Sequence, residues 1–379
     1  MISHLPADWR DGLWLGRVLL AAGPTPILVE DGQAFDMSRI APTVSELIEG
    51  GLLSGQLGEQ LGPLEQLLQG ESGFAGAIRL LAPIDLQVIK ACGVTFAISA
   101  FERVVEEAAR GNAADAVAIR ERLAEKVGAE IGSVKPGSAA ADKLKQALIA
   151  EGLWSQYLEV AIGPDAEVFT KAPVLSAVGD GDHIGLRADS SWNNPEPEVV
   201  LVVDSRGQVK GATLGNDVNL RDIEGRSALL LGKAKDNNAS CAIGPLIRLF
   251  DDGFTIDDLR AADIKLDLVG LDGFTMSGSS SMRLISRDPL ELVQQVIGPE
   301  HQYPDGFALF VGTMFAPVKD RNIPGAGFTH AEGDVVRISS ERLGTLENSV
   351  TSCAMAAPWT FGISALMKNL ASRGLLNGK

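Results

Sequence analysis

Hydrophobic positions 199–203 form an unbroken run of valine and leucine, which predicts a buried strand. Pro195 and Pro197 come just before the run, and proline does not fit a helix interior. The turn sequence Asp204-Ser205-Arg206-Gly207 follows, and a second strand-like run then covers 208–214. The pattern therefore predicts a β-hairpin in this part of the chain.

Other hydrophobic runs predict strands along most of the sequence. These runs lie at Trp14–Leu20, 26–30, 87–96, 167–171, 264–268, 307–312 and 334–339. Helical periodicity predicts helices at 45–48, 101–127 and 143–150. We therefore predict an α+β protein that is mainly β, and its 379 residues are enough for two domains.

Composition narrows the class of protein. The net charge of −16 argues against nucleic acid and anionic membranes as partners. The three cysteines are scattered without CxxC spacing, so we expect no disulfide framework and a cytoplasmic location. No signal-peptide pattern opens the sequence, and no apolar run approaches the ~20 residues that span a bilayer.

The hairpin also carries the candidate chemistry. Glu196 and Glu198 share one face of an extended chain, about 7 Å apart. If the hairpin turns about Arg206-Gly207, Asp217 faces Glu196 on the opposite strand. If it turns one residue earlier, the pairing of the two strands is displaced by two residues. Three converging carboxylates repel one another without a cation. Oxygen-only ligation favours Mg²⁺, with Mn²⁺ or Ca²⁺ as alternatives, over Zn²⁺. The alternative that fits the same spacing is a strand end whose acidic side chains are solvated and bind no metal.

An ordered set of motifs resembles the fumarylacetoacetate hydrolase superfamily. The set contains Glu-x-Glu on a strand, then Gly-Asn-Asp-Val, Arg-Asp, a lysine and Ile243-Gly244-Pro245, and the resemblance covers about residues 88–352. The segments 152–157, 193–198 and 233–239 are closer still to bacterial 2-keto-3-deoxy-D-xylonate (2-keto-3-deoxy-D-arabinonate) dehydratases.

The resemblance implies a fold and a domain division. We expect a mixed β roll, with a small β-rich N-terminal domain at 1–84 and a catalytic domain at 85–379. A helical insertion at about 101–152 would follow the active-site loop, either as a lid or as a solvated surface hairpin. A homodimer or homotetramer is the expected assembly.

The resemblance also implies roles for individual residues. Glu167 matches a catalytic acidic residue about thirty positions before the Glu-x-Glu pair. Lys235 matches the catalytic lysine, with Lys233 as the competing assignment, and a bound cation is expected to lower the pKa of Lys235. The implied substrate-binding residues are Ser99, Lys171, Asn216 and Thr313.

The implied reaction is Mg²⁺-dependent dehydration of a 2-keto-3-deoxy-D-pentonate to 2-oxoglutarate semialdehyde, in pentose catabolism. Hydrolytic relatives carry a histidine where this chain has Ser99, and Ser99 cannot act as a base unaided near neutral pH. Glu102 keeps the acidic position beside it, and His330 could approach from another loop. The alternatives are acylpyruvate hydrolysis, oxaloacetate decarboxylation and a metal-binding structural module.

Overall fold

The computed structural model describes residues 2–50, 57–69, 78–123, 132, 134–315, 317, 319–321 and 327–376. The strands are β1 Trp14–Leu20, β2 Gly23–Glu30, β3 Gln33–Asp36, β4 Glu59–Pro63, β5 Arg79–Leu81, β6 Val88–Gly93, β7 Glu167–Ala172, β8 His183–Leu186, β9 Pro197–Val203, β10 Val209–Asp217, β11 Cys241–Leu249, β12 Asp263–Val269, β13 Thr275–Ser281, β14 Phe307–Phe310, β15 Val335–Ser340 and β16 Gly344–Ser352. The α-helices are α1 Val44–Gly50, α2 Leu64–Gln69, α3 Ala97–Ala108, α4 Ala113–Leu123, α5 Ala139–Ala150, α6 Gln156–Ile162, α7 Arg221–Glu224, α8 Leu231–Lys235, α9 Ile256–Arg260, α10 Pro289–Val296 and α11 Ile363–Ser372.

Two sheets organise the described residues. The larger sheet runs β4-β3-β2-β1-β11-β10-β9-β14-β6-β7, with β5 beside β1, and the smaller one runs β13-β12-β15-β16-β8. The larger sheet is mixed, because β14 pairs parallel with β6 and antiparallel with β9. This architecture confirms the prediction of an α+β protein that is mainly β.

The central strand β9 is buried on both faces. Val199, Leu201 and Val203 pack into the hydrophobic cluster that also contains residues of the smaller sheet, whereas Val200 and Val202 pack into a second cluster that includes residues of α1. A strand covered on both faces needs apolar side chains at every position. This explains why the run at 199–203 is continuous rather than alternating.

The N-terminal strands extend the larger sheet. β1 pairs antiparallel with β11, placing Trp14 opposite Arg248, and β5 pairs with β1. Around them lies a separate hydrophobic cluster that contains Trp9, Trp14 and Leu80. The N-terminal residues thus share a sheet with the predicted catalytic domain, and the boundary at residue 84 stays a prediction.

The helix predicted over 101–127 is divided in two. α3 ends at Ala108 and α4 begins at Ala113, with Arg110 and Gly111 between them at φ values of 52° and 71°. A Cβ on Gly111 would lie 2.4 Å from the Asp222 carbonyl oxygen, so this turn needs glycine. Positions 124–127 lie outside the described residues. Across the described chain, no helix has both the length and the hydropathy needed to cross a membrane.

Candidate active site

The β9–β10 hairpin forms the base of the candidate site. Gly215 pairs with Glu198, and the Asp217 N–H donates to the Glu196 carbonyl at 3.1 Å. A bulge at Lys210 moves the register by one residue between the turn and this end. The predicted pairing of residue 196 with residue 217 is therefore confirmed.

The three acidic side chains converge at this end of the hairpin. Glu196, Glu198 and Asp217 are buried, and each offers one carboxylate oxygen within 4.8 Å of the other two. Glu198 accepts from the Gly312 N–H at 2.7 Å and the Thr313 hydroxyl at 3.1 Å. Burial, and then the charges of Asp217 and Glu196, raise the pKa of Glu198 well above its usual range.

Two buried lysines neutralise the other side of the triad. Lys235 Nζ donates to Glu196 at 2.5 Å and to Asp217 at 3.0 Å, and Lys171 Nζ lies 2.8 Å from Asp217. Burial lowers the pKa of Lys235, but Asp217 and Glu196 outweigh it, so the net pKa is raised and the ammonium form is favoured. The expected lowering by a cation is a separate effect and stays a prediction. Lys233 lies at the surface and pairs with Asp189 at 2.8 Å.

One face of β7 is directed towards these groups. Glu167, Phe169 and Lys171 alternate along the strand, and Lys235 Nζ lies 5.9 Å from the centre of the Phe169 ring. Burial raises the pKa of Glu167, while Arg103 and Lys235 oppose that rise. A Cβ at Gly93 would lie 1.9 Å from Glu167 Oε2, so glycine leaves room for this carboxyl group.

Arg103 on α3 joins the cluster, although sequence reasoning did not select it. Its Nη2 donates to Glu196, and its Nη1 donates to Glu106 at 2.5 Å and lies 3.1 Å from Glu224. Arg221 Nε in turn lies 2.9 Å from Glu106. The signal available in the sequence was the spacing of Arg103 and Glu106, which lie three residues apart and so form an oppositely charged pair on the buried side of one helix.

The predicted substrate-binding residues have different surroundings. Thr313 lies against Glu198, and the Asn216 side-chain oxygen accepts from the Glu196 backbone N–H at 3.1 Å. Ser99 is buried in the first turn of α3, where its hydroxyl donates to the Phe96 carbonyl at 2.9 Å. The structure thus places Thr313, Asn216 and Lys171 at the triad, and their substrate contacts, like that of Ser99, stay predictions.

No histidine among the described residues forms a hydrogen bond or ion pair with the triad. His330 Nδ1 pairs with Asp334 at 3.3 Å, and burial lowers the pKa of this imidazole. Glu102 accepts two hydrogen bonds from Arg120, at 2.8 and 2.6 Å. The acidic residue retained after β6 is therefore paired with an arginine instead of a histidine.

The charge of the cluster fits one divalent cation. Six carboxyl groups lie together among the described residues, namely Glu106, Glu167, Glu196, Glu198, Asp217 and Glu224. Four cationic groups oppose them, namely Arg103, Lys171, Arg221 and Lys235. With every group ionised, two negative charges remain, and the triad offers only oxygen ligands, as Mg²⁺ prefers. The residues present therefore fit this metal.

Relatives with named activities match roughly half of the chain. A 2-dehydro-3-deoxy-D-arabinonate dehydratase of Saccharolobus solfataricus is 34% identical over 180 residues, which is 48% of this chain and 57% of the relative. A probable 2-keto-3-deoxyxylonate dehydratase of Haloferax volcanii is 33% identical over 196 residues, 52% of this chain and 64% of the relative. The matched segments thus span less than two thirds of either relative.

Solved structures share the fold. A 2-keto-3-deoxy-D-arabinonate dehydratase complexed with magnesium and 2,5-dioxopentanoate has a TM-score of 0.63 and 23% identity, covering 89% of this chain and 99% of the other. A fumarylacetoacetate hydrolase from Exiguobacterium antarcticum has a TM-score of 0.57 and 18% identity, covering 90% and 99%. The likeness to these two structures shows a common fold.

The match to a family model covers the hairpin and the lysines. Residues 159–351, just over half of the chain, match the model described as the fumarylacetoacetate (FAA) hydrolase C-terminal domain. This span includes the whole Glu196, Glu198 and Asp217 triad. The family resemblance seen in the sequence motifs is confirmed, and the chain belongs to the fumarylacetoacetate hydrolase family.

Proposed function

We propose that this protein is a Mg²⁺-dependent dehydratase that converts a 2-keto-3-deoxypentonate to 2-oxoglutarate semialdehyde, which is the same compound as 2,5-dioxopentanoate. The observation that carries the proposal is the buried triad with the Lys235 ammonium on one side and Glu167 nearby. The two dehydratase relatives support the choice of substrate class. Non-phosphorylative pentose breakdown is the corresponding pathway, and a homodimer or homotetramer is the proposed assembly.

Glu196, Glu198 and Asp217 would hold the metal. When bound, Mg²⁺ supplies Lewis acidity at the ketone and carboxylate of a 2-oxo acid, which makes the protons on C3 more acidic. Glu198 must be ionised to bind a cation, and its donors at Gly312 and Thr313 favour the ionised form. Mn²⁺ is the alternative metal.

The proton transfers fall to Glu167 and Lys235. Glu167 takes a C3 proton, and its raised pKa makes it a stronger base than an ordinary glutamate. The Lys235 ammonium donates a proton to the departing C4 hydroxyl, so that water is released. The resulting C3=C4 enone retains a C5 hydroxyl and tautomerises to the C5 aldehyde, with no further atom gained or lost.

Hydrolysis of an acylpyruvate is the competing reaction within the family resemblance. It needs a base that activates a water molecule, and this would have to lie near Ser99 and Glu102. Ser99 donates to Phe96 and Glu102 is held by Arg120, so neither group is placed to take a proton from water. This arrangement supports elimination over hydrolysis.

A direct assay tests the proposal. The purified protein is given 2-keto-3-deoxypentonate, acetylpyruvate or oxaloacetate, each separately with Mg²⁺. The aldehyde is followed with a coupled aldehyde dehydrogenase, and pyruvate and CO₂ are measured separately. We expect semialdehyde formation that EDTA abolishes and Mg²⁺ restores. Pyruvate release from acetylpyruvate at a rate equal to or above dehydration would overturn the assignment, and release of CO₂ from oxaloacetate would identify a decarboxylase.

A further inference from the structure

The four cations of the cluster differ in their access to solvent. The side chains of Lys171, Arg221 and Lys235 are 0%, 1% and 3% exposed, whereas that of Arg103 is 11% exposed. Arg103 also approaches from α3, outside the hairpin that carries the triad. Arg103 is therefore the most solvent-accessible of the four cations.

Arg103 retains hydrogen-bonding capacity. A guanidinium has five N–H donors. Two of them donate to Glu106 and Glu196, through Nη1 and Nη2, and Nη1 also lies 3.1 Å from Glu224 as an ion pair. The Nε hydrogen and the second Nη2 hydrogen have no partner among the described residues. Two neighbouring N–H groups of this kind match the two oxygens of a carboxylate.

Several other donors near the triad are already engaged, although the Asn216 side-chain amide N–H groups are buried without a partner among the described residues. Both the Gly312 N–H and the Thr313 hydroxyl donate to Glu198. Lys171 donates to the Lys235 carbonyl at 2.5 Å and pairs with Asp217. Lys235 and Arg221 also keep N–H groups without an acceptor among the described residues, but their side chains are only 3% and 1% exposed. Arg103 is therefore the most exposed cation of the cluster that has donors left for an anionic ligand.

Charge balance points in the same direction. With one divalent cation and every group ionised, the six carboxyl and four cationic groups sum to zero, so a monoanion is not repelled. Without Arg103 the cluster keeps one excess negative charge, which repels an anion and attracts a metal cation. Loss of Arg103 should thus have opposite effects on the two ligands.

We propose that Arg103 is a specificity-determining residue that receives the negatively charged end of a 2-oxo acid bound at the triad. The inference rests on the proposed function only for the ligand class, a 2-oxo acid chelated to a cation. It does not depend on which reaction follows. A merely structural Arg103 would support charged and uncharged ligands equally.

A binding experiment separates these roles. Pyruvate and pyruvamide, its uncharged amide, are titrated by calorimetry into the Mg²⁺-loaded full-length protein, and Mg²⁺ is titrated separately. For Arg103→Met we expect pyruvate affinity to fall roughly 10- to 100-fold, as for loss of a hydrogen bond between charged groups. Pyruvamide affinity should change less than about threefold, and Mg²⁺ affinity should be equal or tighter. Arg103→Lys should recover part of the preference for pyruvate.

Arg120→Met is the matched control. Arg120 binds Glu102 on the same helical segment through an ion pair that does not include the triad. This variant should therefore keep the wild-type preference for pyruvate over pyruvamide. If Arg103→Met does not fold, Arg103→Gln, which keeps hydrogen-bond donors without the charge, is used to measure the same ratio of pyruvate affinity to pyruvamide affinity. Equal losses of pyruvate and pyruvamide, or weaker Mg²⁺ binding, would overturn the proposal. A protein that binds pyruvate through Arg103 but forms no semialdehyde would reject the dehydratase function alone.

Discussion

The hairpin and the helical segment α3–α6 contribute to the site in different ways. The hairpin supplies all three candidate metal ligands from positions 196–217. The helical segment supplies Arg103, whose bond to Glu196 joins residues 93 positions apart. One region therefore sets the ligand geometry by local pairing, and the other sets the charge around it through tertiary packing.

Glu196 and Glu198 show the consequence of this division. Burial opposes ionisation of Glu196, but Arg103 and Lys235 outweigh it and lower its pKa to about 2. Glu198, two residues away, has no ion-pair partner among the described residues, and its pKa is raised. The pKa values of two candidate ligands on one strand thus shift in opposite directions, because Glu196 pairs with Arg103 of the helical segment and with Lys235, whereas Glu198 pairs with neither.

The largest expected effect comes from Glu198→Gln. Because the neutral form of Glu198 is favoured without a cation, glutamine resembles it and should keep the free energy of unfolding in EDTA within ~1 kcal/mol. Mg²⁺ affinity should fall by more than ~10- to 100-fold, which is the usual loss when a residue that only hydrogen-bonds to a metal ligand is replaced. Calorimetry with Mg²⁺ and unfolding in EDTA check both values.

Asp217→Asn is the contrasting variant on the same hairpin. It leaves Lys171 and Lys235 buried beside a neutral amide, and breaking a buried ion pair costs ~3–5 kcal/mol. We therefore expect loss of both Mg²⁺ binding and stability. Similar unfolding free energies for the two variants in EDTA would contradict this account of the triad.

The next effect concerns the two nearby lysines. Lys235→Met should lower turnover ~10²- to 10⁴-fold, the usual contribution of a general acid. Lys233→Met should keep turnover within about twofold of the wild-type value, because Lys233 forms a surface ion pair of the kind that contributes ~0–1 kcal/mol to stability. Steady-state rates at saturating Mg²⁺ measure both. A damaging Lys233→Met beside a mild Lys235→Met would reverse the assignment.

A smaller effect is expected in the pH dependence of turnover. Burial raises the pKa of Glu167, and a general base must be deprotonated, so kcat should rise with pH up to that raised pKa. The acid limb should lie above the ordinary glutamate pKa of about 4.3. Profiles of kcat at saturating Mg²⁺ test this, and Glu167→Gln should lose both the limb and most of the turnover. An acid limb that Glu167→Gln retains would exclude Glu167 as its source.

The hairpin was accessible to sequence reasoning because strand alternation and turn position are local properties. They placed residue 196 opposite 217, whereas Lys235 was assigned from the family resemblance, with Lys233 as the competing lysine. Arg103 was only partly accessible, since helical periodicity places it with Glu106 on the buried face of α3 but does not give the strand that this face meets. The break at Arg110-Gly111 was missed for the same reason, because the close Asp222 carbonyl is distant in sequence.

The smallest expected effects come from two hydroxyl deletions, one beside the hairpin and one in the helical segment. Thr313→Val removes a donor to Glu198 and should weaken Mg²⁺ binding by about tenfold, as for the loss of one hydrogen bond to a charged group.

Ser99→Ala removes a donor to the Phe96 carbonyl, which still accepts the Ala100 N–H at 2.9 Å, so Mg²⁺ affinity should not change. If Ser99 binds substrate, as the family resemblance implies, Ser99→Ala should raise KM alone. Calorimetry and steady-state kinetics on both variants separate these roles, and a change in Mg²⁺ affinity for Ser99→Ala would show that the helical segment also controls the ligand geometry.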